Sequence, residues 1–243
     1  MTKRIITAAM LAIGDELLSG RTKDKNIGYL ADFLTLNAID LKEVRIVSDE
    51  EDSIVAALND LRAQYDYVFT SGGIGPTHDD ITADSTAKAF GVKISHHEGA
   101  MHLLAEHYKD RDIEFTSARQ RMARVPHGAS LIENVVSVAP GFKIENVHVM
   151  AGVPSVFQAM LDAVAPALET GIQMLSEAIN SPFPEGTISE PLAQIQKNNP
   201  NTSIGSYPKY DGSSFTTQII IRAREESVIL KAKEEVLALF DNL

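Results

Sequence analysis

The chain has 243 residues, with 22 Lys or Arg and 33 Asp or Glu, so its formal net charge is -11. It has no cysteine, which excludes a disulfide framework, a thiolate zinc site and a thiol nucleophile. The acidic balance argues against a nucleic-acid polymer as partner, because binding to such polymers depends on Lys and Arg. The acidic net charge is compatible with a small phosphate ligand that is held by backbone N–H groups and a metal ion.

No apolar stretch of the sequence is long enough to span a membrane. The run at residues 5–13 is far shorter than the ~20 residues that a membrane helix needs. It ends abruptly at Gly14, and no small-residue cleavage site follows, which favours a buried strand over a signal peptide. The missing disulfides fit a reducing compartment. We therefore expect a cytoplasmic protein without a membrane partner.

Apolar runs alternate with amphipathic helical patterns through the first two thirds of the chain. Strands are predicted at residues 4–13, 39–47, 66–71 and 147–150. Helices are predicted at residues 24–37, 51–64, 82–90, 98–109, 117–122 and 155–168. This alternation predicts an α/β fold with three layers, α/β/α, around a mostly parallel sheet.

The composition changes near Asn180, where residues 181–186 are dense in proline and glycine and indicate a linker. The predicted elements beyond it are a helix at 189–197, strands at 202–206 and 214–220, and a helix at 225–240. A hairpin turn is predicted at Tyr210-Asp211-Gly212-Ser213. The predicted domains are therefore residues 1–172 and a small α+β subdomain of residues 181–243 with the order α-β-β-α.

Three glycine-bearing loops follow apolar strands, at residues 14–20, 71–82 and 151–155. In parallel sheets, ligands bind beyond the carboxyl ends of the strands. We therefore expect these loops to converge on one crevice.

The loop at residues 70–82 reads Thr-Ser-Gly-Gly-Ile-Gly-Pro-Thr-His-Asp-Asp-Ile-Thr. Glycines directly after a strand let the backbone approach a ligand and point N–H groups at a phosphate. The neighbouring carboxylates of Asp79 and Asp80 are compatible with a phosphate if a hard divalent cation lies between the charges. A bare Gly-Gly-x-Gly is equally compatible with a tight turn in which one Asp caps the next helix, although the full run is more specific than that.

A group of histidines lies within residues 96–107. Glu98, His102 and Glu106 follow one another at four-residue steps, so they share a helix face that could bind a transition metal. His102 and His107 are not at a same-face spacing, which favours a solvated helix face.

The run at residues 71–82 resembles the signature of the molybdopterin-binding fold, which is shared by MoaB, MogA, MoeA and gephyrin. Its Gly-Pro-Thr-x-Asp-Asp form is similar to one branch, formed by the amino-terminal domain of the competence/damage-inducible protein CinA and the pyrophosphatase-like domain of eukaryotic FAD synthase. Further segments similar to this branch are residues 13–20, Asn26, residues 119–129, 139–142 and 152–155. The resemblance covers about residues 5–168, and Gly205-Ser206-Tyr207-Pro208 resembles the small carboxyl-terminal region of the FAD synthase type.

The resemblance implies metal-dependent hydrolysis of a nucleotide diphosphate, such as ADP-ribose or FAD, with release of AMP. The alternative that it implies is molybdopterin binding or adenylylation in molybdenum cofactor biosynthesis without hydrolysis. A third reading is a scaffold without catalytic activity. The implied cofactor is Mg²⁺ or a similar ion, such as Co²⁺ or Mn²⁺, with K⁺ as a further ion. The implied partners are a small nucleotide or pterin ligand and copies of the same chain in a dimer or trimer.

The resemblance also implies roles for individual residues. Asp79 and Asp80 would hold the metal and act in catalysis together with Glu16. The implied ligand- and phosphate-binding residues are Gly14, Asp15, Asn26, Ser71, Gly72, Gly73, Gly75, Thr77, Gly152 and Pro154. Two of these have local alternatives, since Asp15 could cap a helix or pair with Arg21, and Asn26 could bond the backbone at a helix start.

The chain departs from the branch at three positions. It has Ala151 where the branch usually has Pro, and Ser137 and Val138 where the branch has Gly and Thr before Ala-Pro-Gly-Phe. The changes to Ser137 and Val138 remove a flexible turn position and a hydroxyl. If that loop shapes the base or flavin pocket, a changed substrate range follows.

Overall fold

A computed structural model describes residues 4–210 and 215–243, and the chain divides into two compact units, Met1–Gly171 and Ile172–Leu243. The predicted turn residues Asp211, Gly212 and Ser213 lie outside the described residues. Within the described part of the chain, no helix is both long and apolar enough to cross a membrane.

The first unit alternates strands and helices along the chain. Its strands are β1 (Ile6–Ile13), β2 (Ile39–Val47), β3 (Tyr67–Ser71), β4 (Ile94–His96), β5 (Arg124–Pro126), β6 (Ser130–Ile132), β7 (Gly141–Ile144) and β8 (Val147–Met150). Its α-helices are α1 (Asp15–Leu18), α2 (Asn26–Leu36), α3 (Glu51–Gln64), α4 (Thr82–Phe90), α5 (Glu98–Lys109), α6 (Ser117–Gln120) and α7 (Pro154–Val164). Short 3-10 helices follow α6 and α7 at Arg121–Ala123 and Ala165–Ala167.

The main sheet of the first unit has the strand order β2-β1-β3-β8-β7-β6. β1 pairs in parallel with β2 and β3, and β3 pairs in parallel with β8. β7 is antiparallel to both of its neighbours, while β4 and β5 form a separate two-stranded ladder. The predicted mostly parallel sheet is confirmed, and the carboxyl ends of β1, β2, β3 and β8 lie at the same edge.

Strand β1 divides its side chains between two hydrophobic cores. Ala8 and Met10 belong to the core formed with α2 and α7. Ala9 and Leu11 belong to the core formed with α3 and α4. Helices therefore cover both faces of the sheet, as predicted, and β1 is apolar throughout because both of its faces are buried.

The second unit contains β9 (Leu175–Ser181), α8 (Glu185–Asn198), β10 (Ser203–Tyr210), β11 (Phe215–Ala223) and α9 (Glu226–Asp241). Its sheet is antiparallel, with the order β10-β11-β9. The core lies between this sheet and the two helices and includes Ile179, Ile188, Leu192, Ile219, Ile221, Ile229 and Val236. The predicted small α+β part is therefore present.

Strand β9 corrects the predicted start of this unit and its order of elements. The unit begins before residue 181 and has the order β-α-β-β-α, because β9 occupies part of the interval that the prediction left between the two domains. β9 is a sheet edge with only Ile179 and Ser181 buried, so its apolar signal is weak. The supposed linker marks a helix start instead, since Pro184 directly precedes α8.

Strand β8 carries a buried histidine. His148 is 1% exposed, and its ring stacks on Phe69 with 5.0 Å between the ring centroids. Burial lowers the pKa of His148 from 6.5 to about 4, and the charge of Lys143 acts in the same direction. The folded chain therefore keeps this ring neutral at ordinary pH.

We expect the free energy of unfolding to fall as the pH drops from 7 towards 4.5. Unfolding restores the His148 pKa to 6.5, so the unfolded chain takes up a proton that the folded chain excludes. At pH 5 the loss is about 2 kcal/mol. His148→Phe keeps the aromatic stack and should remove this loss in the free energy of unfolding, measured by urea denaturation at several pH values. His96→Gln, at an exposed histidine, is the control and should leave the loss in place. Equal pH dependence in wild type and H148F would contradict this account.

Candidate functional site

A cavity of about 540 Å³ opens where the carboxyl ends of β1, β2, β3 and β8 meet. Its wall combines residues from all three predicted loops with one from the loop after β2, and among them are Gly14, Glu16, Asp49, Gly72, Gly73, Gly75, Asp79, Asp80, Gly152 and Pro154. The loops at residues 14–20, 71–82 and 151–155 thus share one crevice, as strand order in a parallel sheet predicts.

Gly72 is the point at which these loops touch. Its φ is +109°, and a β-carbon there would overlap the carbonyl oxygen of Ile13. A β-carbon on Gly152 would lie 3.3 Å from the Gly72 Cα. The Gly72 N–H donates to the Met150 carbonyl at 3.2 Å. The Gly72 amide is therefore bonded within the fold, although Gly72 itself lines the cavity as one of the predicted binding residues.

The amides that follow Gly72 are available. Within the described residues, no hydrogen bond uses the N–H groups of Gly73, Ile74 or Gly75. Gly73 also has a positive φ of +68°, so the chain turns sharply from one amide to the next. Successive N–H groups in such a turn form a concave site suited to an anion. The Gly73 and Gly75 amides are the candidates for phosphate binding.

Asp80 and Thr77 are hydrogen-bonded to each other within the loop at residues 71–82. The Asp80 Oδ2 accepts from the Thr77 N–H at 2.8 Å and from the Thr77 hydroxyl at 2.5 Å. Both Thr77 donors are used inside the loop, and Thr77, a predicted phosphate ligand, is not among the residues that line the cavity.

Four carboxylates line the cavity, namely those of Glu16, Asp49, Asp79 and Asp80, and none of its described lining residues is Lys or Arg. The Glu16 carboxylate folds back over Gly14, where a β-carbon would lie 2.5 Å from the Glu16 Oε2. The cavity wall is therefore strongly negative.

Asp49 is a site residue that sequence reasoning missed. It lies in the loop after β2, and its Oδ2 accepts from the Asp15 N–H at 2.9 Å. Burial raises the pKa of Asp49, and the charges of Asp15, Glu16 and Asp79 raise it further. Asp15 itself does not line the cavity, and its backbone N–H holds the Asp49 carboxylate instead. The position of Asp49 just after a predicted strand was the signal that could have found it.

The donor set of the cavity suits a hard divalent cation. No group of three His, Asp or Glu side chains among the described residues could hold a metal ion by itself. Mg²⁺ does not need such a group, because it often takes one or two carboxylates and completes its shell with water and ligand phosphate. Asp79 and Asp80 therefore fit a metal that is shared with a bound phosphate.

The histidine segment at residues 96–107 has structural contacts instead of a metal site. His97 caps α5 by accepting from the Ala100 N–H at 3.4 Å. His102 lies 3.5 Å from Glu106 on the exposed face of α5.

Asn26, the first residue of α2, joins two of the loops. Its side chain is buried, and its Nδ2 donates to the Ser71 Oγ at 2.7 Å and to the Gly152 carbonyl at 2.9 Å. The ends of β3 and β8 are therefore tied together by a side chain from a third segment. Pro154 begins α7 beside them and lines the same cavity.

The loop at residues 134–139 also contributes to the cavity wall. The Asn134 Nδ2 donates to the Ser137 Oγ at 2.6 Å and to the Ala139 carbonyl at 2.8 Å. Val138 has a φ of +67°, a left-handed conformation that costs a non-glycine residue about 1–2 kcal/mol. The departures at Ser137 and Val138 thus lie in a strained loop, in which Ser137 and Ala139 line the cavity. The third departing residue, Ala151, lines the same cavity.

The chain belongs to the family of probable molybdopterin-binding domains, whose model matches residues 9–170. The model of the FAD synthase middle domain matches residues 173–242. The two matches meet where the chain divides into its compact units.

Individual relatives support the same assignment. A protein of Pyrobaculum arsenaticum is 34% identical over 211 residues, which cover 83% of this chain and 80% of the relative. A protein of Archaeoglobus fulgidus is 31% identical over 200 residues, covering 82% and 85%. The crystal structure of CinA from Thermoplasma acidophilum, a protein of unknown function, is 32% identical with a TM-score of 0.62 and covers 67% of this chain and 98% of its own. The first unit is therefore a CinA-like member of the family, and the predicted resemblance is confirmed.

We expect Gly72→Ala to lower the free energy of unfolding by about 3 kcal/mol, because the new methyl group meets the Ile13 carbonyl at an unfavourable φ. Gly28→Ala is the matched control. Gly28 lies within α2, and a β-carbon there meets nothing within 4 Å, so this change should stabilise the chain by about 0.5–1 kcal/mol. Urea denaturation of both variants tests the account, and wild-type stability of G72A would contradict it.

Proposed function

We propose that the chain hydrolyses the diphosphate linkage of a dinucleotide, such as FAD or ADP-ribose, and releases AMP with the help of a divalent metal ion. The observation that carries this proposal is that backbone amides without a hydrogen-bond partner and four carboxylates line the same cavity. The amides suit phosphate oxygens, whereas the carboxylates repel them. A diphosphate and a cation together satisfy both parts of the wall, and neither does so alone.

In this proposal Gly73 and Gly75 donate their N–H groups to the diphosphate, and Asp79 and Asp80 hold Mg²⁺, Mn²⁺ or Co²⁺. Such an ion, when bound, would offset the charge of the phosphate oxygens and make a neighbouring water more acidic.

Asp49 is the proposed proton acceptor. Its pKa is raised by burial and by the surrounding carboxylates, which makes it a stronger base than an ordinary Asp. Water attacks one phosphorus atom, the bond from that phosphorus to the bridging oxygen breaks, and the proton of the water passes to Asp49. Glu16, on the same wall, orients the attacking water. AMP and a second monophosphate leave.

One observation favours FAD over ADP-ribose as the substrate, namely that the second unit matches the FAD synthase middle domain. The cavity wall also has an apolar part with Ile74, Met122 and Val153, which suits the flat adenine ring that both substrates contain. Molybdopterin binding without hydrolysis is the second candidate, and the match of the family model to residues 9–170 is the observation that favours it.

We expect the purified chain to release AMP from FAD, ADP-ribose or NADH in the presence of Mg²⁺, Mn²⁺ or Co²⁺, with K⁺ added as a variable. Asp80→Asn should lower the rate roughly 100-fold, because it removes a metal-binding charge and keeps an acceptor for Thr77. Asp162→Asn, at an exposed position of α7, is the control and should keep the wild-type rate. No AMP from any substrate with any metal would contradict the proposed hydrolysis.

A second prediction concerns pH. The Asp49 carboxyl must be ionised to accept a proton, so the wild-type rate should fall at low pH as this carboxyl becomes protonated. Asp49→Asn should lower kcat roughly 100-fold and remove this acidic limb from the residual activity. The pH profile of kcat for both proteins is the measurement, and an acidic limb unchanged in D49N would exclude Asp49 as the base.

A further inference from the structure

The second unit contains a cavity of its own, with a volume of about 460 Å³. Its described lining residues all belong to this unit and come from the start of β9, the turn before β10 and the chain that connects β11 to α9. Pockets for small molecules commonly measure roughly 300–1,000 Å³. This cavity therefore has room for a whole small molecule, and it shares no described residue with the cavity of the first unit.

The charge of this cavity is opposite to that of the main one. Its described lining residues include two guanidinium groups, those of Arg222 and Arg224, and one carboxylate, that of Glu225. The main cavity has four carboxylates and no Lys or Arg among its described lining residues. Because the chain as a whole has 33 acidic and 22 basic residues, a cavity with an excess of basic side chains runs against its net charge and favours an anion.

Arg222 has a guanidinium that the fold does not use. The residue lies near the end of β11 and pairs across the ladder with Ser203, which also lines the cavity. The side chain is exposed, and its guanidinium forms no hydrogen bond or ion pair with any residue that the structure describes, Glu225 included. A guanidinium donates from a rigid fork that matches two oxygens of a phosphate or a carboxylate. Arg222 is therefore free to bind such a group.

Hydrogen bonds hold other parts of this wall in place. The Arg224 Nη1 donates to the Ile172 carbonyl. In the turn before β10, the Thr202 hydroxyl donates to the Asn199 carbonyl at 2.7 Å, and the Gln196 Nε2 donates to the Thr202 carbonyl at 2.9 Å. The wall is thus fixed before a ligand binds, which reduces the entropy cost of binding.

The remaining lining residues narrow the chemistry of the ligand. Met174 and Val228 give the wall an apolar part, which suits an apolar or aromatic group. The Glu225 carboxylate repels a second anionic group. The ligand that fits this wall therefore has one anionic group attached to an apolar body.

We propose that the cavity of the second unit binds a small organic anion, with the anionic group on the Arg222 guanidinium and the apolar body against Met174 and Val228. This inference goes beyond the proposed function, because it uses none of the residues assigned to hydrolysis. A phosphate and a carboxylate have the required chemistry in common, and the experiment separates them.

The test is an NMR titration of the full ¹⁵N-labelled chain in the presence of a chelator, which removes divalent metal ions from the main cavity. The probes are phenyl phosphate, benzoate and the neutral benzyl alcohol. At least one anionic probe should shift the backbone amide signals of Ser203, Arg222 and Val228, and benzyl alcohol should bind roughly tenfold more weakly than that probe. The anionic probe with the higher affinity identifies the group that the site prefers.

Three variants test the role of the charges. Arg222→Ala should weaken binding of the anionic probe roughly tenfold, and it should fold because the side chain has no described partner to lose. Lys197→Ala is the matched control, since it removes an exposed positive charge from α8 outside the cavity and should keep the wild-type affinity. Glu225→Gln removes the repelling carboxylate and should strengthen binding roughly threefold.

Three results would overturn the proposal. The first is that no probe shifts the amide signals of Ser203, Arg222 and Val228. The second is that benzyl alcohol binds as tightly as both anionic probes, and the third is that R222A and K197A bind an anionic probe equally well. Each of these leaves the proposed hydrolysis standing, because that reaction is measured separately as AMP release at the cavity of the first unit.

Discussion

The site depends on how closely the strand-end loops approach one another at Gly72. The Ile13 carbonyl leaves no room for a side chain on Gly72, the Met150 carbonyl accepts from the Gly72 N–H, and Gly152 lies against the Gly72 Cα. Asn26 secures the same junction through buried hydrogen bonds. Because these contacts are backbone or buried contacts, the amides of the glycine loop are fixed in position before any ligand binds, which reduces the entropy cost of binding.

Under the proposed function, electrostatics explains how an acidic chain would recognise a polyanion. Glu16, Asp49, Asp79 and Asp80 share one cavity, and the raised pKa of Asp49 records both its burial and the repulsion from neighbouring charges. Such an arrangement is unfavourable without a counter-charge and is typical of functional sites. A divalent cation would turn the repulsion into attraction for phosphate. Part of the net charge of -11 is therefore a property of the site and not only of the solvent-exposed surface.

Much of the fold could be predicted from the sequence, because long apolar runs and helical periodicity gave β2, α3 and α5 their correct bounds. The strands β4 to β7 have only three or four residues, too few for a periodic signal, and β9 is a weakly apolar edge. Motif resemblance located Asp79 and Asp80 at the cavity but not Asp49, which belongs to no motif. The Gly72 amide is bonded to Met150 across the folded chain, so no local pattern could reveal that it is occupied. The Thr77 hydroxyl is bonded to Asp80 within the same loop, three residues away.

The central claim is that the carboxylates and the glycine loop bind a diphosphate only together with a divalent cation. Calorimetry with α,β-methylene-ADP, whose bridging carbon resists hydrolysis, tests this claim without any need for turnover. The account predicts affinity at least about tenfold higher with Mg²⁺ than with a chelator, and loss of that difference when Asp79 and Asp80 are both changed to Asn. Equal affinity with and without the metal ion would contradict it.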